Sequence, residues 1–230
     1  ATFDFDAGNW TVNPARNLNI NVGDYDLDAT NAFDAMIAVN GGHVTIVTSD
    51  PAFVLNNGTI NLNGPGALWS GEPLEVGDDA GALASHLNVG GSGTATITPD
   101  VTFKSDADVD IAAGATLQLI GDVTFLPVNG GNNAEFTGGG TLLTQTHAEF
   151  SEATTLNMVG GSIDFDGTDF DTTGNLIEIN APVVINAASL VPFGREKDSL
   201  TDNLEINHES HVGSLTVNLD DPNGEWTLNE

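Results

Sequence analysis

Gly93-Thr94-Ala95-Thr96-Ile97 is restated along the chain as Gly114-Ala115-Thr116-Leu117-Gln118-Leu119, Gly140-Thr141-Leu142-Leu143 and Gly161-Ser162-Ile163-Asp164-Phe165. Each phrase is a glycine, a hydroxyl residue and a short alternation of sides, the pattern of a strand restarted by a tight corner. The glycines lie 21, 26 and 21 residues apart, about one turn of a three-sided coil, with two or more short strands in each interval. A stack of such coils tolerates an interval swollen by a loop, because each coil needs register only with its neighbours. The expected fold is therefore all-β, a right-handed parallel β-helix (solenoid).

Working outward, two-periodic segments occur at Trp10-Thr11-Val12, Leu18 to Val22, Val44 to Val47, Thr59 to Leu62, Val101 to Phe103, Val123 to Phe125, Ile177 to Ile179, Val183 to Ile185, Leu204 to Ile206 and Leu215 to Val217. Residues 30–36 and 78–87 hold enough alanine for a turn or two of helix, but neither sustains a helical apolar face. Without helical crossovers a doubly wound parallel sheet is excluded. The alternative is an antiparallel β-sandwich, favoured by the hairpin-forming dipeptides Asn57-Gly58 and Asp166-Gly167. Against it stands the repeated order of strand, glycine corner and Thr-led strand. Residues 1–230 read as a single β-helix domain, with Gly58 opening a coil whose longest insertion covers about residues 64–90.

The 33 acidic residues, 22 Asp and 11 Glu, face four basic ones, for a formal charge of -29. Phosphate contacts need Lys and Arg, so no nucleic acid is expected as a partner. Partners should be neutral, cationic or bridged by metal. The 40% hydrophobic content exceeds that of a disordered acidic tail. No run reaches the roughly 18 apolar residues of a membrane span, so no membrane insertion is expected. Ala1 to Asp6 has neither the basic start nor the apolar core of a signal peptide, and the chain reads as a segment of a longer protein. Low Lys content, the lack of cysteine and high Asp, Asn, Thr and Gly fit an extracellular or cell-surface location, and a cytosolic protein of a salt-loving organism would share the acid excess. Gly8-Asn9-Trp10-Thr11-Val12-Asn13 and Gly224-Glu225-Trp226-Thr227-Leu228-Asn229 are near copies. Trp either fills a local gap in each or marks both as parts of a longer array.

The densest acidic run is residues 164–175. Asp164 and Asp166 share a strand face there, and Gly167 allows a turn that brings Asp169 or Asp171 beside them. Oxygen ligands in that density suit Ca²⁺, and solvated carboxylates on a strand face are the plainer reading. An EF-hand is excluded by the missing Glu at the twelfth position. Similar clusters occur at Asp4/Asp6, Asp24/Asp26/Asp28 and Asp106/Asp108/Asp110. His208 and His211 would face opposite sides of a strand, which argues against zinc.

Catalysis finds no supported residues. Arg16, Lys104, Arg195 and Lys197 are the cations, and none sits in an acidic cluster where a lyase would need one. There is no Gly-x-Ser-x-Gly elbow, and the glycine-rich runs lack the Lys-Ser/Thr of a phosphate loop. A hydrolase needs only paired carboxylates, for which an aromatic platform would mark the groove. Tyr25, among Asp24, Asp26 and Asp28, and Trp69, after Gly64-Pro65-Gly66, are the candidate glycan-binding positions. A flat Thr face for ice or mineral is not expected, because Thr94/Thr96 and Thr45/Thr48 do not recur in register over several coils.

Gly138-Gly139-Gly140-Thr141-Leu142-Leu143 and Gly160-Gly161-Ser162-Ile163-Asp164-Phe165 resemble the repeats of bacterial autotransporter-associated or adhesin-type surface proteins, in the non-catalytic branch of the pectin-lyase-like superfamily. The resemblance spans approximately residues 50–220. It implies an elongated structural or adhesive segment that holds other modules away from the cell or itself contacts a surface or matrix glycan or protein. It carries over no catalytic residues, and the uneven coils and high acidity depart from regular members. The alternative is a carbohydrate-active or carbohydrate-binding β-helix acting on extracellular polysaccharide.

Overall fold

Glycine and short polar residues bend the chain between strands too short to cross a domain, so three strands close one coil and the next coil lies on it. The computed structural model describes residues 2–4, 8–12, 17–21, 24–28, 35–47, 52–56, 58–77, 84–126, 134–152, 154–164, 176–179, 183–191, 203–206 and 215–219. The first coil holds β1 (Thr2–Asp4), β2 (Gly8–Val12) and β3 (Asn17–Asn21), and the second β4 (Asp24–Asp28), β5 (Ala35–Asn40) and β6 (His43–Val47). Then come β7 (Phe53–Asn56), β8 (Thr59–Asn63) and β9 (Leu68–Gly71), followed by β10 (Leu74–Val76), β11 (Ser85–Gly90) and β12 (Gly93–Ile97). The next coils are β13 (Val101–Lys104), β14 (Ala107–Ile111) and β15 (Ala115–Leu119), and β16 (Val123–Leu126), β17 (Glu135–Thr137) and β18 (Thr141–Thr144). Last are β19 (Ala148–Phe150) with β20 (Thr154–Asp164), β21 (Leu176–Ile179) with β22 (Val183–Val191), and β23 (Asn203–Ile206) with β24 (Leu215–Leu219).

Corresponding strands pair in parallel from coil to coil, giving a right-handed β-helix with three parallel sheets. The first sheet is β1-β4-β7-β10-β13-β16-β19-β21-β23. The second begins β2-β5-β8-β11-β14-β17 and the third β3-β6-β9-β12-β15-β18; they meet in β20, which pairs β17 through Thr155 and Leu156 and β18 through Ser162, Ile163 and Asp164. β22 follows β20 around the same corner, with a register shift between Met158 and Ser162. No described ladder is antiparallel, so the sandwich alternative falls, and Gly58 lies buried just before β8 rather than in a hairpin. Asp166-Gly167 lies outside the described residues. No helix among the described residues is long and apolar enough to cross a membrane.

Coil length varies as the loops do: Phe53 pairs with Leu74, 21 residues on, and Ala148 with Ile177, 29 on. Residues 64–90, expected as one insertion, contain β9, β10 and β11. Gly58 precedes a strand of the second sheet and Gly93 opens one of the third, so their separation measures a coil plus a side. The two alanine-rich segments contribute Ala35 and Met36 to β5 and Ser85 to Leu87 to β11.

Alternate side chains of every side-chain-described strand point inward and stack into rows along the axis. Ile37, Ile60, Leu87, Val109, Phe136, Leu156 and Ile185 form one such row on the second sheet, each 2% exposed or less. Phe103, Phe125, Phe136 and Phe150 fill the middle coils, and Phe53 packs on Trp69 with ring centroids 5.2 Å apart. One corner turns through Asp106, a buried aspartate at φ 62°, a left-handed conformation that Asp tolerates better than most side chains.

Candidate functional site

With the inward positions occupied by the core, chemistry on this solenoid belongs to the outward rows of the three sheets. On the first sheet one register row runs Asp4, Asp26, Val54, Glu75, Thr102, Thr124, Glu149, Glu178 and Glu205. Lys104 Nζ lies 2.7 Å from Glu75 Oε2, and Ser151 Oγ donates to Glu149 Oε1 at 2.6 Å. Among the side-chain-described residues of this row the carboxylates are Glu75 and Glu149.

The second sheet sets Thr59, His86, Asp108, Glu135 and Thr155 in one outward row and Asn61, Asn88, Asp110, Thr137 and Asn157 in the next. His86 Nδ1 is 2.8 Å from Asp108 Oδ2. Asn88 Nδ2 donates to Asn61 Oδ1 at 2.9 Å, and Thr137 Oγ1 to Asp110 Oδ1 at 3.2 Å, so side chains bond along the axis as the backbone does. Asp108, Asp110 and Glu135 are near neighbours on an open sheet. Even so, no three His, Cys, Asp or Glu among the described residues are arranged to hold a metal.

The third sheet differs in kind. Its strands β3, β6, β9, β12, β15 and β18, with β20 from Ser162 and β22 from Ser189, carry one carboxylate, Asp164, in a chain that has 33. Thr94, Thr116, Thr141, Ser162 and Ser189 stand in register, one hydroxyl residue per coil. Thr94 is exposed and Thr116, Thr141 and Ser162 half-exposed. The neighbouring row is His43, Leu68, Thr96, Gln118, Leu143 and Asp164. Thr96 Oγ1 donates to Gln118 Oε1 at 3.2 Å, and His43 Nε2 and Thr45 Oγ1 lie 2.9 Å and 3.0 Å from Ser70 Oγ. The Thr94 position therefore does recur in register, contrary to expectation, whereas Thr96 gives way to Gln118 and Leu143. The glycine-to-glycine spacing hid this: Ala115 is an extra residue between Gly114 and Thr116, and Gly93 pairs with Ala115.

Of the expected metal ligands, Asp164 ends β20 on the third sheet, and Asp166, Asp169 and Asp171 lie outside the described residues. Trp69 is fully buried in the core, where its ring is not offered to a sugar. Tyr25 occupies the register position of Phe3, one before Asp26, whose partner Val54 follows the buried Phe53. His208 and His211 lie outside the described residues. The feature that local reading passed over is this face with its single carboxylate, whose signal was the hydroxyl residue one or two places after each glycine. The chain matches no family model, and no curated protein or solved structure is significantly similar to it.

Proposed function

We propose that this chain is a structural and adhesive segment of an extracellular bacterial surface protein. The observation that carries the reading is the partition of charge, with carboxylates along the outer rows of two sheets and almost none on the third. Acidic faces keep neighbouring copies apart and the segment soluble, and an uncharged face leaves one side on which contact meets little Coulomb penalty. A stack in which each coil touches only its neighbours also suits a spacer, since length is added by coils without changing the cross-section. The carbohydrate-active alternative draws less support. Asp108, Asp110 and Glu135 could supply carboxyl groups, but every Phe and Trp ring among the side-chain-described residues is buried in the core, which leaves no platform for a sugar beside them.

Calcium enters this reading as a proposed stabiliser of residues 164–171, supported by the spacing of Asp164, Asp166, Asp169 and Asp171. A melting temperature raised by calcium and restored by chelation tests that part. The main test incubates the chain with a panel of extracellular polysaccharides and matrix proteins, scoring both retention and newly formed sugar ends. Retention without product supports the adhesive segment; release of oligosaccharides overturns it in favour of an enzyme.

A further inference from the structure

We propose that the outer face of the third sheet binds an uncharged polysaccharide whose chain runs along the solenoid axis over Thr94, Thr116, Thr141 and Ser162. This rests on the adhesive reading above and names its surface and its ligand class. Three observations lead to it.

The first is charge. Asp164 is the single carboxylate on strands that cross the whole length of the third sheet, in a chain of formal charge -29. The acidic flanks repel polyanions approaching from either side, while a neutral polymer meets neither attraction nor penalty. The second is hydrogen-bonding capacity. Thr94, Thr116 and Thr141 are exposed or half-exposed, and their hydroxyls have no hydrogen-bond partner among the described residues. A hydroxyl donates one bond and accepts two, the same inventory that a sugar hydroxyl presents.

The third is period. Parallel strands repeat every ~4.8 Å, so the row offers one hydroxyl per coil at a spacing comparable with one unit of an extended pyranose chain. A ligand aligned with the axis repeats its contact at each coil and gains affinity from many weak bonds. A second copy of this chain is a poorer occupant, since it would set hydroxyl row against hydroxyl row and bring another formal charge of -29 alongside. An ice or mineral lattice is poorer too, because the adjoining row of Thr96, Gln118, Leu143 and Asp164 is neither flat nor chemically uniform.

The test is affinity electrophoresis of the whole chain in gels cast with neutral β-glucan, mannan or xylan, against polygalacturonate and alginate, in low and high salt and in calcium or chelator. At least one neutral polymer should retard the protein, with little effect of salt or chelator. The triple variant T94V/T116V/T141V should weaken that retardation about tenfold or more. Val keeps the β-branched shape, and an unchanged melting temperature checks the fold. Thr116→Glu should abolish retardation alone, and T102V/T124V on the first sheet should leave it intact.

Undiminished retardation in the triple variant overturns the proposal, as does retention of anionic polymers alone. Binding to a matrix protein or anionic glycan without any neutral polysaccharide overturns the proposal and leaves the adhesive reading standing. No binding to any of them removes both. A dimer seen by sedimentation in the parent chain and lost in the triple variant would assign the face to self-contact instead.

Discussion

Phe150 lies flat on Phe125 one coil below it, with ring centroids 4.4 Å apart and planes within 4° of parallel. Phe103 stacks on the other side of Phe125 at 5.6 Å, and Phe136 from the second sheet meets Phe103 and Phe125 edge-on at 4.8 Å and 5.6 Å. Phe125 thus touches the other three rings and ties three coils together. Phe125→Ala should cost about 3–5 kcal/mol, read as a lower midpoint in urea denaturation, and Phe125→Leu distinctly less.

Two glycines of the third coil, one just after β8 and one at the end of β9, separate backbone strain from steric clash. At Gly64, φ 79°, an added Cβ meets nothing within 4 Å, whereas at Gly71, φ 109°, it would come within 1.8 Å of the Ile46 carbonyl oxygen. Gly64→Ala should therefore cost about 1–2 kcal/mol from the left-handed backbone alone. Gly71→Ala forces the ladder between β6 and β9 to move and should cost more than about 3 kcal/mol. Thermal melts of the two variants side by side check the order.

Lys104 and Glu75 form an ion pair between adjacent coils on the first sheet, with side chains 21% and 28% exposed. A double-mutant cycle over Lys104→Met and Glu75→Gln should return a coupling of about 0.5–1 kcal/mol, shrinking as salt is added. A coupling of several kcal/mol would mean that the pair is far less hydrated than its exposure indicates.

The row Glu149, Glu178, Glu205 and the formal charge of -29 make self-repulsion a standing cost of the folded state. Raising sodium chloride from about 0.02 M to about 0.5 M should raise the melting temperature by on the order of a few degrees. Substituting Glu149→Gln should both raise the low-salt melting temperature and reduce its salt dependence.

The solenoid was legible because its determinants are local. Alternation in Val101-Thr102-Phe103 or Val123-Thr124-Phe125 decides which side chains are inside, and the glycine phrases set the coil period. What the sequence concealed depends on register between coils of unequal length. Ala115 displaces Thr116 by one place from its glycine, so the hydroxyl row emerges only when strands are laid on one another. Trp69 illustrates a second limit. It follows Leu68, and two adjacent apolar residues leave the parity of a short strand undecided; pairing with Val44 and Ile97 puts the indole inside and Leu68 at the surface. The carboxylates beyond Asp164 belong to a segment whose ligand potential rests on spacing alone.

β20 spans the second face and the third, turning through Gly160 at φ 79°, and β22 lies against it on both sides of that corner. Elsewhere a coil can be peeled away one side at a time, each glycine corner acting as a place where the tear can halt or start. Here β22 follows β20 around the Gly160 corner, so ladders on the two sides of the corner join the same two strands. Pulled from its ends, the molecule should unravel in small steps until it reaches this doubled seam, which then sets the force the whole segment can bear.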